Sequence, residues 1–380
     1  MAFLEASSGR TATLRVASER DSAPRVVVHA TLAELDSLAG PWSALAADAG
    51  GRGPFLGFDW NRAWAELFCG ETRRLHVLAV RRGSELLGIA PWLVYEPRRW
   101  FEPRRIAFLG AELTAWDHLD VICAPGEERV VAAALYAHLF GASAPRWQRL
   151  ELHGVRADSA FLFHLRECFE QDGKHIEARA GAFCPTRSLE GGGLLGSLTA
   201  RRQKRLRYEQ QVLERAGSLE HETRTQRDAE FPEALASLAA LYRKRWGGDP
   251  DALRCVEAYA RLAGPAHGLR VDLLRVAGRT LGGLLQLRRD DTLYLYLLAI
   301  DREPFPKRSV GDVLIGLALE RAGAEGVRCY DFLRGGEDYK LQWSDGAVRN
   351  LDFTAYRPGA VVLAQLALAR ARELVKVAWR

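Results

Sequence analysis

The second half of the chain contains three strand-like segments in succession, and this order restricts the fold more than any other feature of the sequence. The segments GLRVDLLRVA, GLLQLRR and TLYLYLLAID are separated by the short turns GRTLG and Asp290–Asp291. A helical segment from Asp312 to Ala324 and a further strand, RCYDFL, follow. An antiparallel meander whose last strand leads through a crossover helix to a parallel strand requires a mixed sheet covered by helices. We therefore predict an α/β protein of the α+β, mixed-sheet type.

The first half of the chain has a similar order of elements. VVVH (Val26–His29) is typical of a strand, and Thr31 and Glu34 have the spacing of a capping box that starts a helix. A second helix, FDWNRAWAELF, precedes a hairpin predicted around the Gly-Ser turn of RLHVLAVRRGSELLGIAPWLVYE. The strands RIAFLG, HLDVICA, RWQRLELHGV and HIEARAGAFCP follow, with helices predicted at 127–141 and 158–171. No residue-level repeat relates the halves, so a duplicated fold is a hypothesis that rests on element order alone.

The length of the chain favours two domains, because 380 residues exceed what one ordinary core contains. With 48% hydrophobic and 27% charged residues, the chain can bury two cores without disulfides or metals. We predict a flexible extension at 1–25, a first domain at 26–190 and a second domain at 191–380. The second domain starts at GGGLLG, which we interpret as a linker because no βαβ unit accompanies its glycines. It ends in the amphipathic helix VVLAQLALARARELVKVAWR.

Charge and cysteine content favour a cytoplasmic protein. The net charge of +5 is spread along the chain, and the six cysteines are widely spaced without a CxxC pair, as expected for reduced thiols. The N-terminus lacks the apolar stretch of a signal peptide, and no window approaches ~18 uninterrupted apolar residues, so we expect no transmembrane segment. The motifs of zinc proteases, serine hydrolases and P-loop NTPases are missing from the sequence, and we predict no metal.

Two clusters of polar residues have a structural interpretation beside a functional one. Trp116, Asp117, His118 and Asp120 lie close together, but no third metal ligand has useful spacing, so we interpret them as a turn that enters a strand. The helix LTARRQKRLRYEQQVLERAG carries arginine or lysine at 201, 202, 204, 205 and 207, which suits phosphate binding, including tRNA. Because the same spacing distributes charge around the helix, a solvated face is the favoured interpretation.

The loop and helix start at REPFPKRSVGD form a candidate anion site. A helix N-terminus leaves about four backbone N–H groups unpaired at the positive end of the helix dipole. Ser309, Val310 and Gly311 would offer such donors, and Lys307 and Arg308 would add positive charge. Spacing alone favours an ordinary capped helix with two solvated bases, so both interpretations stay open.

The segment DFLRGGEDYKLQW, from Asp331 to Trp343, is the second candidate site. It follows a predicted buried strand, and loops at the carboxyl ends of parallel strands are where α/β folds place ligands. In a structural interpretation Asp331 and Arg334 pair with each other, Tyr339 and Trp343 belong to the core, and the glycines make a turn. The residue composition supports a functional and a structural role of this segment equally.

This segment resembles the DF-x-RG-x-E-x-YK-x-x-W signature of a known family. The signature occurs near the end of the GNAT-like domain in cellulose-biosynthesis acetyltransferases of the CelD type and in relatives of the Fem peptidyl transferases. LTARRQKRLRYEQQVLERAG is similar to the arginine-rich opening helix of that domain, and KRSVGDVLIGLALERA is similar to its S-x-G helix start. The resemblance extends more weakly to PFLGFDWNRAWAELF and the first hairpin. This chain has Ser-Val-Gly where proline is common in the middle, and Gly336 precedes Glu337 where many relatives have an acid.

The resemblance implies two tandem GNAT-like domains and transfer of an acyl group from acyl-CoA, such as acetyl-CoA, to an amine of a small molecule, saccharide or peptide. In that interpretation the backbone amides of Ser309–Gly311 bind the pyrophosphate of the acyl donor, or an equivalent anion. Glu337 or Asp331 is the candidate base, and Tyr339 the candidate proton donor to the leaving group. The candidates for binding an anionic substrate are Arg334 and Lys340, with Trp343 beside them.

Two other functions remain open at this stage. A Fem-like enzyme would take its acyl group from aminoacyl-tRNA. A non-catalytic partner in polysaccharide or natural-product assembly would keep the fold with a degenerate site. The sequence decides neither the acceptor nor the oligomeric state.

Overall fold

The computed structural model describes residues 23–49, 53–114, 117–190, 198–247, 250–263 and 268–357. Residues 1–22 of the predicted extension, the GGGLLG run up to residue 197 and the predicted C-terminal helix therefore lie outside the described residues. The predicted extension at 1–25 overlaps the first strand by one residue, because this strand begins at Arg25.

The described residues form helices in both halves of the chain. The helices are α1 (Leu32–Asp36), α2 (Ala39–Asp48), α3 (Phe58–Phe68), α4 (Glu128–Phe140), α5 (Ala160–Gln171), α6 (Ala200–Ala216), α7 (Phe231–Trp246), α8 (Asp251–Leu262), α9 (Val310–Ala324) and α10 (Asp338–Trp343), with a 3-10 turn at Pro54–Leu56. The predicted capping box is confirmed at α1, where Thr31 accepts a hydrogen bond from the Glu34 amide and the Glu34 carboxylate accepts one from the Thr31 amide. None of the helices among the described residues has the length and apolar character needed to cross a membrane.

The strands form one large and one small sheet. They are β1 (Arg25–His29), β2 (Arg73–Leu75), β3 (Val77–Arg82), β4 (Glu85–Ala90), β5 (Trp92–Tyr95), β6 (Arg105–Phe108), β7 (Ile122–Cys123), β8 (Arg149–Arg156), β9 (Ile176–Ser188), β10 (Leu219–Thr225), β11 (Gly268–Val276), β12 (Arg279–Arg289), β13 (Thr292–Ile300), β14 (Cys329–Asp331) and β15 (Gly346–Tyr356). The small sheet has four described strands in the order β1-β3-β4-β7. The large sheet has eleven, in the order β10-β11-β12-β13-β14-β9-β15-β8-β6-β5-β2. The predicted α/β fold with a mixed sheet is confirmed.

The meander of the second half is confirmed as β11, β12 and β13, which pair antiparallel, and α9 leads to β14, which pairs parallel to β13. Helix α9 begins at Val310, two residues before the predicted start. The sequence patterns did not predict β10, α8, α10 or β15. Of these, β10 is polar and α10 has six residues, so the periodicity of both is weak.

Strand β15 belongs to the second half in sequence but pairs with two strands of the first half. Its Phe353 is opposite Leu152 of β8 on one side and Ala178 of β9 on the other. Strand β9 in turn pairs with β14 of the second half. The two halves therefore exchange strands across the boundary that we predicted at residues 190 and 191.

The apolar core is continuous between the halves. Trp60 of α3 lies 5.3 Å from Tyr296 of β13 and 5.4 Å from Tyr259 of α8, measured between ring centroids. A second cluster lies under α9, where Gly316 permits close approach of the buried Trp343 ring: a Cβ at Gly316 would lie 3.2 Å from it. This second cluster packs α9 against β13 and β14, the strands that precede and follow it.

Phe353→Ala tests the exchanged strand, because Phe353 is fully buried and its ring lies 5.9 Å from that of Phe169. We expect the free energy of unfolding to fall by about 3–5 kcal/mol. The midpoint of urea unfolding, followed by circular dichroism, measures the loss. Phe163→Ala is the matched control, because Phe163 is 60% exposed and its removal should change stability by less than about 0.5 kcal/mol. Equal losses in the two variants would contradict the structural role of β15.

Candidate functional site

The parallel strands β13 and β14 separate after a short paired stretch. They pair from Thr292 opposite Cys329 to Tyr294 opposite Asp331, and β13 then continues to Ile300 without β14. Strand β13 also carries a bulge, because Leu295 and Leu297 are opposite consecutive residues of β12 and Tyr296 has no opposite residue. A gap therefore opens between the carboxyl ends of two parallel strands, which is where open α/β sheets bind ligands.

A cleft of about 330 Å³ occupies this end of β13 and the start of α9. Leu298 and Ile300 of β13 give it apolar lining, and Tyr339 of α10 also lines it. The backbone from Ser309 to Asp312 lines the same cleft. The structure thus brings Tyr339 together with the predicted anion-binding residues.

The start of α9 offers free backbone donors to the cleft. Ser309 is the N-cap and makes no side-chain cap to the helix; its amide donates instead to Glu209, at 3.3 Å. Within the part of the chain that the structure describes, the amides of Val310, Gly311 and Asp312 have no acceptor. Two of the three predicted amide donors, those of Val310 and Gly311, are therefore available to an anion at the positive end of the helix dipole.

The cleft is basic. Arg245, Arg302 and Arg308 line it, against the single carboxylate of Asp312 among its described lining residues. Arg205 reaches the same helix start and donates to the Ser309 hydroxyl at 3.0 Å. The predicted ligand Lys307 is exposed and is not part of the lining. The excess of guanidinium groups favours a ligand with several negative charges.

The Tyr339 hydroxyl is half-buried beside the cleft. Burial raises the pKa of the Tyr339 hydroxyl well above its usual range, and the nearby Glu337 carboxylate raises this pKa further. The phenol therefore stays protonated at neutral pH. Glu337 itself is exposed, and its carboxylate lies 3.3 Å from the Lys340 ammonium.

Asp331 lies outside the cleft, in a buried polar network. One carboxylate oxygen accepts from the Leu333 amide at 2.7 Å, and the other lies 3.1 Å from Nε2 of His118. The second ring nitrogen of His118 lies 3.0 Å from the side-chain oxygen of Asn350. Asp331, His118 and Asn350 are all buried. Both oxygens of the predicted base are thus already engaged by protein groups.

Arg334 extends the same network to Asp117. The Arg334 guanidinium lies 2.8 Å from Asp117, and the Arg334 amide also donates to that carboxylate, at 2.9 Å. The side-chain amide of Asn350 donates to Asp117 at 3.2 Å. Asp117 has no exposed surface, so its charge depends on these donors. We call the set Asp117, His118, Asp331, Arg334 and Asn350 the bridging network, because it joins the two halves.

Sequence reasoning missed the bridging network. It interpreted Asp117 and His118 as a strand-entry turn, and the structural interpretation that it left open paired Arg334 with Asp331. Asp117 is 217 positions away from Arg334, and no local pattern links residues at such a distance. A conspicuous Asp-His pair before a predicted buried strand was the one available signal.

Lys340 and Trp343 also contact the protein itself. The Lys340 ammonium donates to the carbonyl oxygen of Arg334. The buried Trp343 donates its indole N–H to Asp312 at 3.1 Å, and the Arg202 guanidinium lies 4.1 Å from the centroid of its ring. The substrate-binding roles of Arg334, Lys340 and Trp343 and the base role of Asp331 stay predictions; only Tyr339 among the residues of this segment lines the cleft.

A second cavity, of about 210 Å³, lies in the first half. His118 of the bridging network lines it, together with Asp120, Glu128 and Arg156. Glu128 begins α4, and the preceding Glu127 makes a two-point ion pair with Arg82, at 2.9 Å for each contact. Helix α4 connects the parallel strands β6 and β8, as α9 connects β13 and β14. The helix start of the first half is therefore acidic, where that of the second half is basic.

Comparison with known proteins identifies the second half. Residues 200–341 match the family model described as an acetyltransferase (GNAT) domain. The second half of the chain is therefore similar to a GNAT-type acetyltransferase domain. The matched residues include α9 and Tyr339, so the cleft lies within the matched range. No curated protein matches the sequence.

Solved structures resemble most of the chain. FemX matches at 12% identity over 88% of this chain and 97% of its own, with a TM-score of 0.56. The C-terminal domain of a putative lysylphosphatidylglycerol synthetase from Agrobacterium fabrum matches at 13% identity over 88% and 95%, with a TM-score of 0.54. A tandem GNAT protein from the clavulanic acid biosynthesis pathway matches at 16% identity over 88% and 99%, with a TM-score of 0.45. At these identities the likeness shows the fold alone, a mixed α/β fold over most of the chain. The pair of GNAT-like halves stays a prediction. The CelD-type resemblance stays a prediction.

Asp117→Asn tests the bridging network. Because Asp117 is fully buried and Arg334 is one-third exposed, removing the charge should lower the free energy of unfolding by about 2–4 kcal/mol. Asp36→Asn is the matched control, since Asp36 is half exposed in its ion pair with Arg62 and its loss should cost less than about 1 kcal/mol. Urea unfolding compares both variants with the wild type. A wild-type midpoint for Asp117→Asn would show that the network does not stabilise the fold.

Proposed function

We propose that the protein is an N-acyltransferase that transfers an acyl group from acyl-CoA to an amine. One observation carries the proposal: the free amides of Val310 and Gly311 and three arginines line one cleft at the divergence of β13 and β14. A GNAT-type domain over residues 200–341 supports the same reaction class.

The cleft suits each part of an acyl-CoA donor. The amides at the start of α9 would bind the pyrophosphate, with Arg308 beside them. Arg245 and Arg302 would offset the remaining phosphate charge. Leu298 and Ile300 would contact the pantetheine arm, which runs toward the bulge at Tyr296 in this arrangement. Of the predicted donor-binding residues, Lys307 is exposed outside the cleft and would act only through its long-range charge.

The reaction needs a base and an acid. The acceptor R–NH₃⁺ loses one proton to a base, its nitrogen forms the C–N bond with the thioester carbon, and the C–S bond breaks. The leaving thiolate takes a proton, and the products are R–NH–acyl, HS–CoA and one proton released to solvent. Tyr339 would donate to the thiolate, because it lines the cleft and a phenol is protonated at neutral pH. Glu337 would act as the base, directly or through water; Asp331 is the second candidate, although both of its oxygens have partners.

The cavity of the first half is the proposed place of the acceptor amine. The carboxylates of Asp120 and Glu128 suit a cation, whereas the acidic start of α4 repels a phosphate. His118 lines this cavity and contacts Asp331 at the end of β14. An amine bound there would thus lie on the side of the bridging network facing the first half.

An aminoacyl-tRNA-dependent transferase of Fem character is the second candidate. Arg201, Lys204, Arg205 and Arg207 of α6 are exposed, and Arg205 contacts Ser309 at the mouth of the cleft. Such a basic surface could follow a nucleic acid backbone toward the same site. A non-catalytic partner role would require that the cleft bind neither donor.

Thermal shift measurements with acetyl-CoA, longer acyl-CoAs and aminoacyl-tRNA separate these functions. We expect an acyl-CoA to raise the melting temperature in proportion to the logarithm of its concentration, and charged tRNA to leave it unchanged. Mass spectrometry of mixtures with candidate amines then identifies the acylated product. Stabilisation by charged tRNA alone would favour the Fem-like function. Stabilisation by neither donor would refute both enzymatic proposals.

Gly311→Ala tests donor binding at the start of α9. An added Cβ would lie 3.7 Å from Ile300, in ordinary contact with the protein but beside the amides proposed to bind pyrophosphate. We expect unchanged or slightly higher stability, because alanine favours the helix, and a dissociation constant for acyl-CoA at least about 10-fold higher. Gly323→Ala, near the other end of the same helix, has comparable space and should bind donor normally. Calorimetric titration measures both, and equal affinities would argue against this binding mode.

A further inference from the structure

The connection between β5 and β6 carries two adjacent exposed aromatic side chains. It spans residues 96–104, and Trp100 is 88% exposed while Phe101 is 45% exposed. Trp100 has the highest exposure of the large hydrophobic side chains among the described residues. Two large apolar rings side by side in water form a small patch of the kind that marks an interaction site.

The sequence around the two rings is strongly basic. It reads EPRR-WF-EPRR, so the same four residues precede and follow the aromatic pair. Glu96 is engaged by Arg74 and Arg104, each at 2.7 Å. Arg98 and Arg99, which immediately precede Trp100, have no carboxylate partner within the described part of the chain. The tip of the connection therefore combines apolar rings with an excess of positive charge, two arginines against the one carboxylate of Glu102.

The tip is held in place by its own backbone contacts. The Glu102 carboxylate accepts hydrogen bonds from the amides of Arg98 and Arg99, at 2.9 and 3.3 Å. The Glu102 amide donates to the Arg99 carbonyl at 3.0 Å. Pro97 and Pro103 fix the backbone on both sides of the turn. Because these contacts order the loop in advance, docking would cost little further conformational entropy.

We propose that this loop docks the protein on an anionic membrane surface. Trp100 and Phe101 enter the interface between headgroups and acyl chains, where aromatic rings are favoured, and Arg98 and Arg99 contact the lipid phosphates. The rings supply apolar contact and the arginines supply attraction to negative lipid, the two components of reversible surface binding.

The geometry favours a lipid surface over other macromolecules. The two rings are nearly perpendicular, at 88°, and the Arg99 guanidinium lies 5.8 Å from the Phe101 ring centroid, so they do not form a platform for stacked nucleobases. A stable protein interface buries roughly 800 Å² per partner, far more than two rings at the tip of a loop provide. A bilayer accepts a narrow protruding tip without a matching groove.

Sedimentation with lipid vesicles tests the proposal. The full chain should bind vesicles of equal parts phosphatidylglycerol and phosphatidylcholine, and bind them less at high salt. Trp100→Ala should lower the partition coefficient at least about 10-fold, through lost apolar contact. Arg98→Gln with Arg99→Gln should weaken binding to the anionic vesicles only. Trp246→Ala is the matched control, because Trp246 is 59% exposed at a different site.

Three results would overturn the inference: no sedimentation with the anionic vesicles, equal binding to pure phosphatidylcholine, or wild-type binding by Trp100→Ala. Binding of single-stranded RNA that is lost in Trp100→Ala, without vesicle binding, would assign the loop to nucleic acid instead. Because Trp100 is almost fully exposed, its removal should leave the melting temperature unchanged, and this measurement separates lost docking from lost folding. The outcome does not depend on acyl-CoA binding.

Discussion

The backbone hydrogen bonds of β15 are made with β8 and β9, two strands whose paired residues precede it by 160 (Gly346 and Thr186) to 207 (Tyr356 and Arg149) positions. This pairing makes one continuous sheet out of two halves, since β9 in turn pairs with β14. It also brings Asn350 of β15 beside Asp117 and His118, where the bridging network forms. The fully buried charge of Asp117 needs the donors of Arg334 and Asn350. Because Asn350 belongs to β15, the pairing of β15 helps to build the site that holds Arg334 and the segment after β14.

The cleft depends on a smaller feature, the early separation of β13 from β14. Because β14 ends at Asp331, the rest of β13 presents an unpaired edge toward the start of α9. Trp343 packs under α9 against Gly316, and the hydrogen bond from its indole N–H to Asp312 helps to fix the helix start. Buried contacts thus hold the amides of Val310 and Gly311 in place, while exposed arginines give the cleft its charge.

The two halves have the same arrangement of strand, helix and parallel strand but opposite charge at the helix start. Glu127 and Glu128 stand at the start of α4, and three arginines surround the start of α9. The positive end of a helix dipole is stabilised by acidic side chains or by a bound phosphate. In the first half, glutamates of the chain itself stand at the start of α4. In the second half, the start of α9 is proposed to bind the phosphate of a ligand. This difference underlies the proposed division of the halves between acceptor and donor.

The sequence by itself determined the meander, the crossover helix and the resemblance to a GNAT signature, because periodicity, turn residues and short motifs are local properties. It did not determine which side chains of Asp331–Trp343 face a ligand. Only the tertiary structure decided that Asp331 and Arg334 face His118 and Asp117, that Trp343 is internal, and that Tyr339 lines the cleft. The physical reason is that burial and ion pairing depend on partners from other elements. Asp331 and Arg334 have theirs, His118 and Asp117, 213 and 217 positions away, and Trp343 is buried by its contacts with Asp312 and Gly316 of α9.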